Sequence, residues 1–173
     1  MLQHVLSALT ITVLLASCSV APNSTDSENT SIPKSRPAYD AKAINPSATV
    51  VELFVLAQGA DMSKMEYDKK SLSVPAGCTV KLNIKSTSPD ASMPHNWVLV
   101  HKGTMEKVAT EGLQAGRDRA FVPDSPDVLV HSKLLGPNEE ETLTFPAPPP
   151  GTYEFVCTYP GHWSIMNGTF TVE

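Results

Sequence analysis

Clusters of basic residues are missing from this sequence. Its thirteen Lys and Arg are scattered, and eighteen Asp and Glu outnumber them, for a formal net charge of -5. Nucleic-acid surfaces gather positive charge on one face, so that class of partner is excluded. Aromatic residues are few, at 6% of the chain, and apolar runs are short. Turn residues are plentiful instead, with 15 Pro and 9 Gly. Short apolar runs between frequent turns suit an all-β domain better than a helical one. A chain of 173 residues has room for one domain with a real core.

The longest apolar segment, VLSALTITVLLA at residues 5–16, is uncharged. It has the length of a signal-peptide core and is too short to span a bilayer comfortably. It ends in Leu15-Ala-Ser-Cys18, similar to the lipobox of bacterial lipoproteins, although the preceding MLQH carries no Lys or Arg. The expectation is a lipoprotein signal peptide at 1–17 and a lipidated Cys18. A plain signal peptide cleaved nearby is the alternative. Residues 19–47 are rich in Ser, Pro, Asn, Thr and Asp and have no apolar period. Such a segment buries too little surface to offset its ordering entropy. Residues 18–47 are therefore expected to be a lipidated N-terminus and flexible linker, with the domain proper at 48–173. The protein would sit in the periplasm or at the cell surface, held to a membrane through Cys18, and more than one acyl chain gives a stable hold.

Within the domain, residues 49–56 (TVVELFVL) form a β-branched run, a predicted strand. Met65, Tyr67, Leu72 and Val74 follow, and Pro75-Ala-Gly77 marks a turn. The clearest alternation comes next. Cys78, Val80, Leu82 and Ile84 share one face, and Thr79, Lys81, Asn83 and Lys85 share the other. That is a half-buried strand. Residues 96–100 and part of 128–135 read as strands. So do the segments carrying Leu143 with Phe145, Tyr153 with Phe155 and Cys157, and Phe170 with Val172. Seven or eight short strands predict a two-sheet sandwich with Greek-key connections. Residues 101–127 break the pattern. Met105, Val108 and Ala109 have helical spacing behind a candidate N-cap, Thr104. This is expected to be an inserted flap with one short helix, lying over a sheet edge or end.

Three cysteines and five histidines remain to be placed. With Cys18 lipidated, Cys78 and Cys157 are left in an oxidising compartment. They either form a disulfide or stay apart, Cys78 as a small buried hydrophobe and Cys157 as a ligand. His4 lies in the signal segment, and His101 and His131 stand among polar residues and read as surface groups. His162 follows Cys157 by five residues across Tyr-Pro-Gly, a tight turn, and Met166 is four further on. His95 lies just ahead of the predicted strand at 96–100, and a sandwich can bring that strand end beside the Cys157 loop.

Two imidazoles and one thiolate in a plane, with a weak axial thioether, are the ligands of a blue-copper electron-transfer site. Zinc is the rival metal, but Met serves it poorly. Two other functions stay open at this point. One is a copper-binding or delivery protein of the cell envelope. The other is a thiol enzyme with Cys157 as nucleophile and a histidine as base, which leaves Met166 and the second His without a task.

Residues 48–173 resemble the cupredoxins, in particular the azurin-like blue copper proteins, with the auracyanins as a related alternative. The resemblance rests on Met93-Pro-His-Asn-Trp-Val-Leu99, Val108-Ala-Thr-Glu-Gly112 and Val130-His-Ser-Lys-Leu-Leu-Gly136. It also rests on Cys157-Thr-Tyr-Pro-Gly-His162, with Met166 and Gly168-Thr-Phe170. It implies a cupredoxin-type Greek-key β-sandwich holding one type 1 copper ion, and an electron carrier rather than an enzyme. His95, Cys157 and His162 would be the strong ligands and Met166 the distant axial one. The backbone carbonyl of Pro94, where azurin has Gly, would be a further weak contact. Asn96 and Thr158 match the pair that braces the site. The resemblance also implies a disulfide from the domain's start to an early strand. Here only Cys78 is in that neighbourhood, and Cys18 is its one candidate partner if not lipidated. Electrons would pass at the His162 edge, under an apolar patch of Met93, Pro94, Pro160 and Trp163. Redox proteins such as cytochromes or copper enzymes would dock there.

Overall fold

The computed structural model describes residues 38–173 apart from positions 60 and 62. The described strands are β1 (Val50–Gln58), β2 (Glu66–Tyr67), β3 (Ser71–Val74), β4 (Thr79–Ser86), β5 (Val98–His101), β6 (Val128–His131), β7 (Glu140–Pro146), β8 (Gly151–Val156) and β9 (Asn167–Val172). One α-helix, α1 (Met105–Ala115), and a single 3-10 turn, Arg117–Arg119, lie between β5 and β6. The alternation read in the sequence is what builds the sandwich. In β4, Val80, Leu82 and Ile84 are fully buried, while Lys81 and Lys85 reach outward to Glu52 and Glu140. The strand the sequence did not signal is β2, a two-residue pairing with β1.

The strands form two sheets, ordered β2-β1-β4-β7 and β3-β9-β8-β5-β6. Two neighbouring pairs, β1 with β4 and β3 with β9, run parallel, and the rest are antiparallel. This is the expected all-β sandwich. Its core centres on Trp97, fully buried, with Phe155 stacked at 5.7 Å and Phe145 at 6.3 Å between ring centroids.

The flap is placed differently from the expectation. In β5, Val98, Leu99 and Val100 are all fully buried, so that strand is covered on both faces. Leu99 joins the main core, whereas Val98, Val100 and Val156 form a second cluster with Val108 of α1 and with Val122. The helix therefore lies on the outer face of β5 and β8, not over a sheet edge or end. An apolar outer face is what calls for a cover. Thr104 does precede the helix, but its hydroxyl donates to the His101 carbonyl at 2.6 Å and caps nothing.

One further expectation is corrected, and one open alternative is decided. Tyr39, assigned by composition to the linker, packs against the core, and its hydroxyl donates to the Pro146 carbonyl at 2.6 Å. The domain thus takes in Tyr39 and begins before residue 48. Cys78 and Cys157 are both buried and both free. The Cys78 carbonyl accepts from Ala147 at 2.9 Å, near the start of β8, whereas Cys157 follows the other end of that strand. About 20 Å of strand separates the two regions, too far for a disulfide. Residues 1–17 and Cys18 lie outside the described residues.

Candidate metal centre

Each candidate ligand is set by backbone pairing. His95 stands in an isolated antiparallel bridge with Leu135: His95 N donates to Leu135 O at 3.0 Å, and Leu135 N to His95 O at 2.7 Å. Cys157 follows β8 directly, and its N–H donates to the Met166 carbonyl at 2.9 Å. The loop between them turns tightly. His162 N donates to Tyr159 O at 3.0 Å, and Met166 N to His162 O at 2.8 Å. Gly161 has φ +83°, a conformation in which a side chain is strained. The loop between Cys157 and Met166 is therefore closed at its ends and fixed in its middle by the backbone itself.

The sequence-predicted residues do converge. Ligand atoms of His95, Cys157 and His162 all lie within 4.8 Å of one another, and all three residues are completely buried. Cys157 Sγ is 3.6 Å from His162 Nδ1, and the two imidazole centroids are 5.1 Å apart. Among the described residues this is the one such group of three or more His, Cys, Asp or Glu. Met166 is also fully buried and shares a core cluster with Cys157. His101 and His131 stay outside: His131 is exposed, and His101 lies against Tyr153 at 5.8 Å.

The donors fit a metal on one plain observation. No protein group hydrogen-bonds either nitrogen of His95, although both are buried, and His162 turns its Nδ1 to the Cys157 sulfur at 3.6 Å. Leaving such atoms unpaired costs about 1–3 kcal/mol each, and nitrogen donors beside a thiol are what a soft or borderline metal satisfies. The electrostatics agree. Burial, with a smaller contribution from His162, pushes the His95 pKa down to about 4, and burial takes His162 to about 4. Both rings are neutral at pH 7, the form that binds metal. Burial pushes the Cys157 thiol up to about 12, against the opposing pull of backbone N–H groups of Asn96 and Tyr159. A nucleophilic cysteine needs the opposite shift. Cys157 is thus a thiol whose proton leaves when a metal takes its place.

Asn96 ties the two ligand-bearing segments together. Its Oδ1 accepts from Thr158 N at 2.9 Å, and its Nδ2 donates to Thr158 Oγ1 at 2.8 Å and to Ala120 O at 2.7 Å. Tyr67 OH donates to the Asn96 carbonyl at 2.5 Å. Three contributors escaped the sequence reading. Leu135 holds His95, Tyr159 faces His162 at 4.8 Å, and the Ala120 carbonyl receives Asn96. Tyr159 lies inside the ligand loop and Leu135 inside the 130–136 motif, but nothing in either residue type announces the contact, and Ala120 acts only through its carbonyl.

Of the apolar patch, Met93, Pro160 and Trp163 are half-buried, and Pro94 is buried. Trp163 packs against the second core cluster. Trp163, Pro160, Tyr159 and the half-exposed Leu113 of α1 line a small cavity of about 60 Å³. No pattern along the chain places Leu113 there.

Residues 54–173 match the family described as copper binding proteins, plastocyanin/azurin family. The chain is 38% identical over 118 residues to auracyanin-A of Chloroflexus aurantiacus, covering 66% of this chain and 72% of that protein. It is 35% identical over 129 residues to azurin of Pseudomonas aeruginosa, covering 70% and 86%. The crystal structure of dithionite-reduced auracyanin from Roseiflexus castenholzii superimposes with a TM-score of 0.64 at 38% identity, over 73% of this chain and 99% of that one.

The histidine shifts carry a pH prediction. Unfolded histidines protonate near pH 6.5, but His95 and His162 in the metal-free fold do so only at about 4. The unfolded state holds more protons in that window, so the metal-free domain should lose stability as pH falls from about 6.5 towards 4. Copper on the ring nitrogens and the Cys157 sulfur keeps all three proton-free in the fold while the unfolded chain takes those protons up, so it steepens the fall. Denaturant midpoints should drop from pH 7 to 4 in both forms, at least as steeply with copper as without. A midpoint of the metal-free domain that stays level would show that these imidazoles are not the buried neutral pair described.

Proposed function

The chain belongs to the plastocyanin/azurin family of copper-binding proteins, and on that premise we propose that it is an electron shuttle, exported and tethered to a membrane. Copper is its cofactor, at one type 1 site, and the family carries out blue-copper electron transfer. We assign His95, Cys157 and His162 as strong ligands, Met166 as the axial thioether and the Pro94 carbonyl as a weak contact. Bound copper supplies one-electron exchange between Cu(I) and Cu(II). The chain's own residues supply the rest. His95 and His162 arrive neutral, Cys157 gives up its proton, and the closed loop from Cys157 to Met166 resists rearrangement.

The observation that carries this reading is the burial of three converging donors, with no hydrogen-bond partner in the protein for either His95 nitrogen. It disfavours the two competing functions. A thiol enzyme must expose Cys157 to a substrate, and a delivery protein must let copper exchange readily. Complete burial of His95, Cys157 and His162 opposes both. Purified protein given Cu(II) should show an intense thiolate-to-copper absorption band in the visible, absent in Cys157→Ser. A colourless protein that takes up no copper would overturn the assignment.

The docking surface we propose is the apolar ground above His162: Met93, Pro160 and Trp163, extended by Leu113. Its support is proximity to a ligand ring that is itself shielded from solvent. The partners would be redox proteins, such as cytochromes or copper enzymes, that present an apolar face. Leu113 is the cleanest probe, because it is 50% exposed and a charge there removes little packing. Leu113→Glu should slow electron self-exchange between oxidised and reduced copies by at least about tenfold, since like charges would then face each other. The absorption band should stay unchanged. An undiminished rate would rule this face out.

Export and tethering rest on the segment ahead of Tyr39, read as a lipoprotein signal peptide, lipidated Cys18 and linker, and the protein would sit at the periplasm or cell surface. The mass of the mature N-terminal peptide is the direct check. It should begin at Cys18 and carry acyl chains. A free or disulfide-linked Cys18 would remove the anchor and leave the copper site untouched.

A further inference from the structure

The chain after α1 makes an unfavourable corner. Ala120 and Phe121 are consecutive non-glycine residues with φ +54° and +56°. L-residues avoid this left-handed region, and a bulky one there is an outlier. Such strain persists only where the surroundings hold it, and it gathers at functional sites. The surroundings here are specific. Phe121 N donates to Gly116 O and Val122 N to Arg119 O, each at 2.9 Å. Gly112 of α1 leaves room for the Phe121 carbonyl, which a Cβ at that position would overlap. Asn96, beside the ligand His95, donates its Nδ2 to the Ala120 carbonyl at 2.7 Å.

The corner turns the Phe121 ring onto Tyr159, edge to face, with centroids 5.3 Å apart and planes at 84°. Tyr159 in turn faces His162 at 4.8 Å, and its hydroxyl donates to the Ser92 carbonyl at 2.9 Å, three residues ahead of His95. One aromatic ring therefore touches both approaches to the metal site. A ligand histidine is ordinarily oriented by a hydrogen bond to its second nitrogen. His162 Nε2 has no such partner in the protein. Packing must then fix that ring, and Tyr159 is the ring packed on it.

We propose that Phe121, held in its strained conformation, is a positioning residue for the copper site, pinning Tyr159 and through it His162 and the segment ahead of His95. The strain has a purpose on this view: it aims one side chain at the ligand loop from the flap. The inference rests on the copper assignment made above, and deepens it.

The test uses the full-length, copper-loaded protein and four substitutions. Phe121→Ala removes the ring; Phe121→Leu keeps apolar bulk without the aromatic edge, and serves if the alanine variant does not fold. Phe121→Tyr restores the ring. Val108→Ala, in the second core cluster, weakens the flap without touching Tyr159, and acts as the control for stability alone. Phe121→Ala and Phe121→Leu should release Cu(II) to a chelator about 10–100-fold faster, as loss of an outer support for a ligand does. Both should move the visible band and the reduction potential. Phe121→Tyr should behave as the parent. Val108→Ala should lower the unfolding midpoint and leave band, potential and release rate in place. A blue parent whose Phe121→Ala and Phe121→Leu variants keep band, potential and release rate would overturn the inference alone. So would a Val108→Ala variant that matches them. A parent that binds no copper would overturn the copper assignment itself.

Discussion

The hydrogen bonds between Asn96 and Thr158 join the two chain segments that carry the ligands. His95 precedes the first of them and Cys157 the second, and the sequence distance between them is long. Nothing local brings the two together. The main-chain N–H of Thr158 and its hydroxyl both go to one side chain, and that side chain also reaches the Ala120 carbonyl of the flap. A single amide thus ties sheet end, ligand loop and flap. Removing it would leave buried donors and acceptors unpaired at the place where position matters most. Tyr67 adds a fourth element by donating to the Asn96 carbonyl.

The same arrangement explains why the fold was legible and much of the site's support was not. Alternating apolar residues, as in Val80, Leu82 and Ile84, report a buried face directly, so the sandwich could be read from pattern. Part of the donor group could be read because Cys157 and His162 are close in sequence and chemically distinctive. The flap's position was misjudged, because residues 98–100 look like any short apolar strand until both faces are known to be covered. Tyr39 was misjudged because composition describes the segment around it, whereas one aromatic side chain decides its docking. Leu135 and Ala120 act through carbonyl and amide groups that every residue possesses, so no residue type advertises them.

The metal pole also sets folding against function. In the core of Trp97, Phe145 and Phe155 one ring nitrogen, Trp97 Nε1, lacks a partner, whereas His95 and His162 bring three such nitrogens. The chain accepts them in its interior. It also holds Ala120 and Phe121 in a backbone conformation their side chains disfavour. Both are departures from local preference, and both lie within one network around the same ligands. Departures of this kind are expected at sites where geometry is selected over stability.

That choice follows from the task of passing a single electron. The electron's passage changes the charge at the centre, and ligands free to follow would have to move each time. Burial of His95, Cys157 and His162 keeps water out, and the paired ends of the loop from Cys157 to Met166 keep the donors in place. Rigid donors in a dry site need little reorganisation, which is the electrostatic advantage of any preorganised centre. The unpaired nitrogens are therefore more than a local cost. A metal that satisfies them binds the folded state and not the unfolded one, so the free energy of binding metal returns to the fold as stability.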